Sequence, residues 1–352
     1  IDLSRLKSTL VENGQCGIVH APPPSLETVA LPYSFYTQED IDHRILYVET
    51  SRGCPFRCMY CTSAGHAPMR FFPQDKLLGE LDAVLRRGAR RLKFLDRSFN
   101  HNGDHGLAVL DFLLAHPMTT DARNRGTPFQ FHFEFTPYAL TEAWRERLCR
   151  FAPGELHIEV GIQAWNTAVT ARLHRPCSLE TADETLRFLI HEARADVHAD
   201  LIVGLPGETE ESIHNGFNHL ARLSPSELQV GILKRLPGTE LARRYREWNL
   251  CFSDDPPYEV LQTDTLPFET LCRLKRFAQC WDRLYNRRRF PEAMRLLLTE
   301  TPSPFHAVSA VAQWLHAKHG RLHALSPKQL AHALLATHPS PEMARALKAV
   351  TG

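Results

Sequence analysis

The chain has 352 residues, long enough for one large α/β domain and a smaller one around a buried core. Its 41 Lys and Arg against 40 Asp and Glu leave a net charge of +1, so no global positive field recruits nucleic acid. There is no run of 18 apolar residues and no signal peptide, and nine cysteines, odd in number and mostly scattered, do not build a disulfide framework; a reduced, cytoplasmic setting without a membrane is expected.

The first residue is Ile rather than Met, which fits a fragment or a processed chain. Residues 1–43 are expected to be a Pro-rich leading segment or linker. A short helix is predicted over 2–11, but Ala21-Pro22-Pro23-Pro24 and Pro32 interrupt regular structure, and Leu31-Pro32-Tyr33-Ser34-Phe35-Tyr36 is aromatic and extended. From Arg44 strand and helix patterns alternate. Residues 44–50 are a β-rich run bounded by Ser51-Arg52-Gly53.

The loop that follows carries Cys54-Pro55-Phe56-Arg57-Cys58-Met59-Tyr60-Cys61. Three thiols so spaced in one Gly-led loop can converge on one inorganic site. Iron–sulfur clusters are usually held by four Cys thiolates, so three leave one iron open to a substrate or cofactor. Zinc is the competing occupant: Cys58 and Cys61 form a C-x2-C pair and His66 lies just beyond, but a second close pair is missing.

An amphipathic helix over 74–87, started by Pro73 and stopped by Gly88, leads out of the loop. Further strands are predicted at 91–96, 129–135, 155–162, 197–203 and 227–233. Helices are predicted over 104–116, 141–151, 209–223 and 240–248, with helical turns leading to Arg194. Six β/α units with short connections predict an α/β core over 44–250, a partial (β/α)6 parallel barrel with its ligands at the C-terminal strand ends. Asp96, Glu134, Gln163 and Asp200 lie on or at the ends of these strands, and Arg175 follows strand four. Buried charge is costly unless paired, so several such groups aimed at one mouth imply a polar ligand.

From about Tyr258 strand alternation stops. Helices are predicted over 266–286, 304–319, 327–338 and 341–350, making 251–352 an all-helical C-terminal domain. Cys272 and Cys280 would stand about 12 Å apart on one helix, too far for one small cluster, and read as buried free thiols. Trp281, Tyr285 and Phe290 read as core, and Arg287-Arg288-Arg289 as a solvated face.

The C-x3-C-x2-C pattern, with an aromatic before its last Cys, resembles the signature of the radical S-adenosylmethionine (SAM) superfamily. In that superfamily the open iron is chelated by the amino and carboxylate groups of SAM, and one electron cleaves SAM to methionine and a 5′-deoxyadenosyl radical. The resemblance runs from Arg44 to about Leu241. Glu159-Val160-Gly161-Ile162-Gln163, then Asn166 and Arg175, then Asp200 to Thr209, resemble in order and spacing the branch of oxygen-independent coproporphyrinogen oxidases, methylthiotransferases and cobalamin-linked enzymes.

The resemblance implies a [4Fe–4S] cluster on Cys54, Cys58 and Cys61. It implies SAM contacts from Glu134, Gln163, Arg175 and Asp200, Asp96 near the SAM amino group, and Tyr60 meeting adenine through its backbone. At strand two many members carry Gly-Gly-Glu or Gly-Gly-Thr; Asp96-Arg97-Ser98 here resembles the Asp-Asp-Thr-Phe version of the cobalamin-linked and methylthiotransferase groups. Residues 31–36 resemble the linker that joins a cobalamin-binding domain to the radical core. The tail resembles a helical extension found in some cobalamin-linked members rather than the small RNA-gripping β-barrel of tRNA methylthiotransferases.

The expected protein is therefore a radical SAM enzyme acting on a small-molecule or peptide substrate, with flavodoxin or ferredoxin as electron donor. A cobalamin-dependent radical SAM methyltransferase with its corrinoid domain upstream is the alternative. An RNA methylthiotransferase would carry a second upstream Cys set and an RNA-binding tail, and a zinc-stabilised binding module would hold zinc without iron. The near match to a cobalt-binding Asp-x-His-x-x-Gly loop, Asp196-Val197-His198, has Leu201 in place of Gly and enters strand five, so this chain is not expected to retain cobalamin alone.

Overall fold

The computed structural model describes residues 23–64, 68–127, 129–137, 140–175 and 178–351. The helix predicted over 2–11, Pro22 and His66 lie outside the described residues. Among the described residues there are ten strands: β1 (Leu46–Val48), β2 (Ser51–Arg52), β3 (Arg70–Phe71), β4 (Arg91–Phe94), β5 (Gln130–Phe135), β6 (Leu156–Gln163), β7 (Asp196–Val203), β8 (Glu227–Ile232), β9 (Cys251–Phe252) and β10 (Val260–Gln262). Six of them form one all-parallel sheet in the order β1-β4-β5-β6-β7-β8, a partial barrel left open between β1 and β8.

Alternation explains the two faces of this sheet. In β5 Phe131, Phe133 and Phe135 are buried toward the helices, while His132 and Glu134 point to the concave side. The neighbouring strands repeat the pattern, so the outer face is apolar and the inner face carries Lys93, His132, Glu134, His157, Glu159 and His198. The helices cover the apolar face. Helix Gln74–Arg86 buries Leu77, Leu81, Val84 and Leu85, a stripe of helical period. Thr209 caps helix Glu210–Arg222 by accepting from the Ser212 amide, and Asn166 caps Thr167–Arg172 through two amides.

The chain beyond the sheet is helical, as expected, but begins with an antiparallel pair, β9 and β10, that sequence patterning did not anticipate. Helices follow over Phe268–Trp281, Pro291–Glu300, Pro304–His319, Pro327–Thr337 and Pro341–Thr351. The second of these was not predicted. Its Ala293, Met294, Leu296, Leu297 and Leu298 are buried, while Glu292, Arg295 and Thr299 form an exposed stripe, the pattern of an amphipathic helix only ten residues long. Helix Pro117–Asn124 was also not predicted.

These helices continue the core of the barrel. Trp281 Nε1–H donates to the Leu228 carbonyl on β8 at 2.7 Å, and Phe217 of the barrel meets the rings of Phe277 and Trp281 edge-on. Trp281 and Phe290 are buried and Tyr285 is half-buried, donating its hydroxyl to the Pro225 carbonyl. Burial pushes the Cys280 thiol up to about 12, so it stays protonated and inert. Among the described residues no helix is long and apolar enough to cross a membrane.

Candidate active site

The Cys loop leaves the C-terminal end of β1, and its two ends are clamped by the antiparallel pairing of β2 with β3. Gly53 opens the loop at φ +106°, a left-handed conformation that a side chain would strain. The middle of the loop is fixed from both sides: the Met59 amide donates to the Leu173 carbonyl at 3.2 Å, and the Leu241 amide donates to the Met59 carbonyl at 2.9 Å.

Cys54, Cys58, Cys61 and Tyr60 all line one cavity at the barrel mouth, and Glu134, Gln163, Arg175 and Asp200 line the same cavity. Strand register is what brings the acids together. Glu134 on β5 is directly opposite Glu159 on β6, and Asp200 on β7 is opposite Gly161 one pleat further. Gln163 reaches the cavity through an irregularity: β6 shifts register between Gly161 and Gln163, and Gln163 adopts φ +71°. Gly161 makes room for this, since a Cβ there would stand 2.5 Å from Gln163 Nε2.

Arg175 is buried and joins the strand to the loop. It donates to the Gly161 carbonyl at 2.5 Å, lies 3.5 Å from Cys58 Sγ, and stands over the Phe56 ring. Ser98 Oγ is 3.4 Å from Cys54 Sγ. A cation therefore stands beside Cys58 and a hydroxyl beside Cys54.

The three carboxylates differ. Burial raises Glu134 despite the Arg97 guanidinium 3.3 Å away. The hydrogen bond from His132, helped by Lys93, holds Glu159 down to about 2. Burial also raises Asp200. His198 Nε2 is 3.2 Å from Asp200 Oδ1 but poorly aligned for a hydrogen bond, so this oxygen is buried without an aligned donor. An acceptor in that state is matched by a donor arriving with a ligand.

Asp96 is the exception among the expected site residues. It does not line the cavity. Its carboxylate faces the base of the Cys loop, where it accepts from the Thr50 amide at 3.1 Å, the Thr50 hydroxyl at 2.6 Å, the Ser51 hydroxyl and Asn102 Nδ2. Arg97, Ser98 and Glu159 line the cavity and were not picked out from the sequence. Glu159 was legible, because it shares the inner face with Gly161 and Gln163 at a spacing of two.

A cluster fits this donor set. Among the described residues no three His, Cys, Asp or Glu side chains converge tightly enough to share a single ion. The three thiols line one cavity, and a cube would take each of them on its own iron.

Residues 48–220 match the family described as the Radical SAM superfamily. This chain carries a radical SAM domain. That family uses a [4Fe–4S] cluster and SAM. Residues 246–339 match a second family, described as a protein of unknown function (DUF4080), which covers most of the helical part.

The chain is similar to tRNA-2-methylthio-N(6)-dimethylallyladenosine synthase of Psychrobacter cryohalolentis, 22% identical over 250 residues, covering 68% of this chain and 48% of the synthase. The cobalamin-dependent radical SAM methyltransferase TokK of Streptomyces tokunonensis is 24% identical over 203 residues, 54% of this chain and 28% of TokK. The chain spans about half the length of the first of these relatives and less of the second. Among solved structures, OxsB with aqua-cobalamin and SAM bound aligns over 87% of this chain and 55% of its own, with TM-score 0.55 and 14% identity. TsrM from Kitasatospora setae with cobalamin and a [4Fe–4S] cluster aligns over 88% and 62%, with TM-score 0.51 and 14% identity. These likenesses show a shared fold.

Proposed function

We propose that Cys54, Cys58 and Cys61 hold a [4Fe–4S] cluster and that Tyr60, Glu134, Gln163, Arg175 and Asp200 hold SAM against its open iron. The observation that carries this reading is the single cavity lined by all eight residues. When bound, the cluster supplies one electron for cleaving SAM to methionine and a 5′-deoxyadenosyl radical, which takes hydrogen from a substrate carbon. Asp200 offers a buried acceptor to a SAM hydroxyl or ammonium, and Glu159 stays ionised to balance positive charge on the ligand. Arg175, bridging Cys58 and Gly161, ties the cluster side of the cavity to the SAM side. Asp96 braces the loop from behind. The enzyme is taken to be cytoplasmic and to act on a small molecule or peptide.

A second reading is favoured by a specific observation. The helical part matches DUF4080 rather than an RNA-binding barrel, and the fold neighbours OxsB and TsrM are cobalamin proteins. A cobalamin-dependent methyltransferase is therefore preferred to an RNA methylthiotransferase as the fuller description of the activity.

Anaerobic reconstitution tests the main reading. About four irons per chain are expected, lost when Cys54, Cys58 and Cys61 are replaced together by Ala and kept when Cys272 and Cys280 are replaced. Glu134→Ala, Gln163→Ala and Asp200→Ala should each weaken SAM binding with the cluster absorbance intact. Stoichiometric zinc without iron overturns the reading.

A further inference from the structure

The Cys loop has a second face. Away from the SAM-side cavity, Cys58 and Cys61 also line a separate recess, closed by Arg57 of the loop and by Thr239, Glu240 and Arg243. The wall is rigid, because the Leu241 amide bonds to the Met59 carbonyl and fixes helix Glu240–Arg244 to the loop. A group seated in this recess meets the thiolates directly, without passing through the barrel.

The recess is positive in a chain that is nearly neutral. Arg57 and Arg243 are exposed, and no carboxylate among the described residues pairs with either; Arg243 donates only to the Gly238 carbonyl. Among the described residues the one acid in the wall, Glu240, is already paired with Arg244 at 2.6 Å, with His174 3.6 Å away. From Lys234 to Trp248 the sequence has five basic residues against two acidic ones. Two uncompensated guanidinium groups flanking an opening make a surface for an acidic partner.

We propose that this recess is the docking site of a small acidic one-electron carrier protein, with Arg57 and Arg243 as its steering charges. The inference rests on the assignment of the cluster to Cys54, Cys58 and Cys61. In the step served, a carrier's anionic flavin hydroquinone gives up one electron and becomes the neutral semiquinone. The cluster accepts that electron and passes from its 2+ to its 1+ state, and no proton moves.

The test compares the cluster-loaded wild-type chain with Arg57→Glu/Arg243→Glu, following bleaching of the cluster absorbance by stopped flow. With reduced flavodoxin at low salt the double variant should be reduced at least about tenfold more slowly, and the wild-type rate should fall steeply with added salt. With dithionite, a small reductant that needs no docking, the two proteins should be reduced alike. Flavodoxin reducing the double variant at the wild-type rate overturns the docking surface while the cluster assignment stands. A wild-type chain that takes up no iron overturns both.

Discussion

Asp96 separates bracing from ligand binding. Its carboxylate is 1% exposed and accepts four hydrogen bonds, three of them from Thr50 and Ser51 at the root of the Cys loop. Removing an acceptor does not cost the same for each donor. Asn102 Nδ2 also donates to the Thr50 hydroxyl at 3.1 Å, and Ser51 Oγ has Asn102 Oδ1 at 3.5 Å, so these two donors retain acceptors, and the Thr50 hydroxyl can rotate to find another. The Thr50 backbone amide has no such alternative and is orphaned in a buried site. That orphan, plus the lost charged bonds, puts Asp96→Ala at about 3 kcal/mol, or a fall of roughly 4 °C in Tm for a chain of this size. Asp96→Asn keeps one acceptor oxygen and should cost less. Thermal unfolding of the apoprotein, iron per chain after reconstitution and SAM affinity are measured together. Bracing predicts a lower Tm and less iron, with SAM affinity lost only in proportion to iron. An Asp96→Ala protein with wild-type Tm and full iron but weakened SAM binding would refute this reasoning and make Asp96 a ligand contact.

Glu208 is buried, one of its oxygens has no partner, and burial raises its carboxyl from 4.5 to about 8. A folded-state value above the unfolded one makes its contribution fully favourable below about pH 4.5 and progressively lost as pH rises to about 8. Glu208→Gln should therefore be more stable than wild type at pH 7, by up to about 3 kcal/mol, with the gap closing toward pH 5; a gap that widens on acidification contradicts this. Arg123 grips the fully buried Glu155 through Nε at 2.8 and 2.9 Å, so Arg123→Ala should cost about 3–5 kcal/mol in urea unfolding, and adding Glu155→Gln should recover part of the loss. Gly161→Ala should displace the Gln163 side chain and weaken SAM binding about tenfold, about 1.4 kcal/mol, with little change in Tm; unchanged affinity by calorimetry would show that Gln163 does not need its present pose.

Much of this was legible because it is local. The spacing of three thiols behind Gly53 is covalent information, and the six strands of the barrel declare themselves by alternation and bounding turns. Pro304 and Pro327 at helix starts marked two C-terminal helices correctly. The β9–β10 pair was invisible because strands of two and three residues carry no period, and their pairing is made across a loop. Helix Pro291–Glu300 was missed because its ten residues give the helical period fewer than three turns in which to show.

The sequence by itself determined which residues could do chemistry: the thiols, the strand-end acids and Gln163. Only the tertiary structure decided which of them share a cavity. Glu134, Glu159 and Asp200 meet because three parallel strands pair in one register, and Gln163 turns inward because β6 is irregular beside a glycine. Asp96 turns the other way because Thr50, Ser51 and Asn102 compete successfully for its oxygens. Alternation along a strand is fixed by backbone geometry, whereas register, curvature and the choice of hydrogen-bond partner depend on residues far away in the chain.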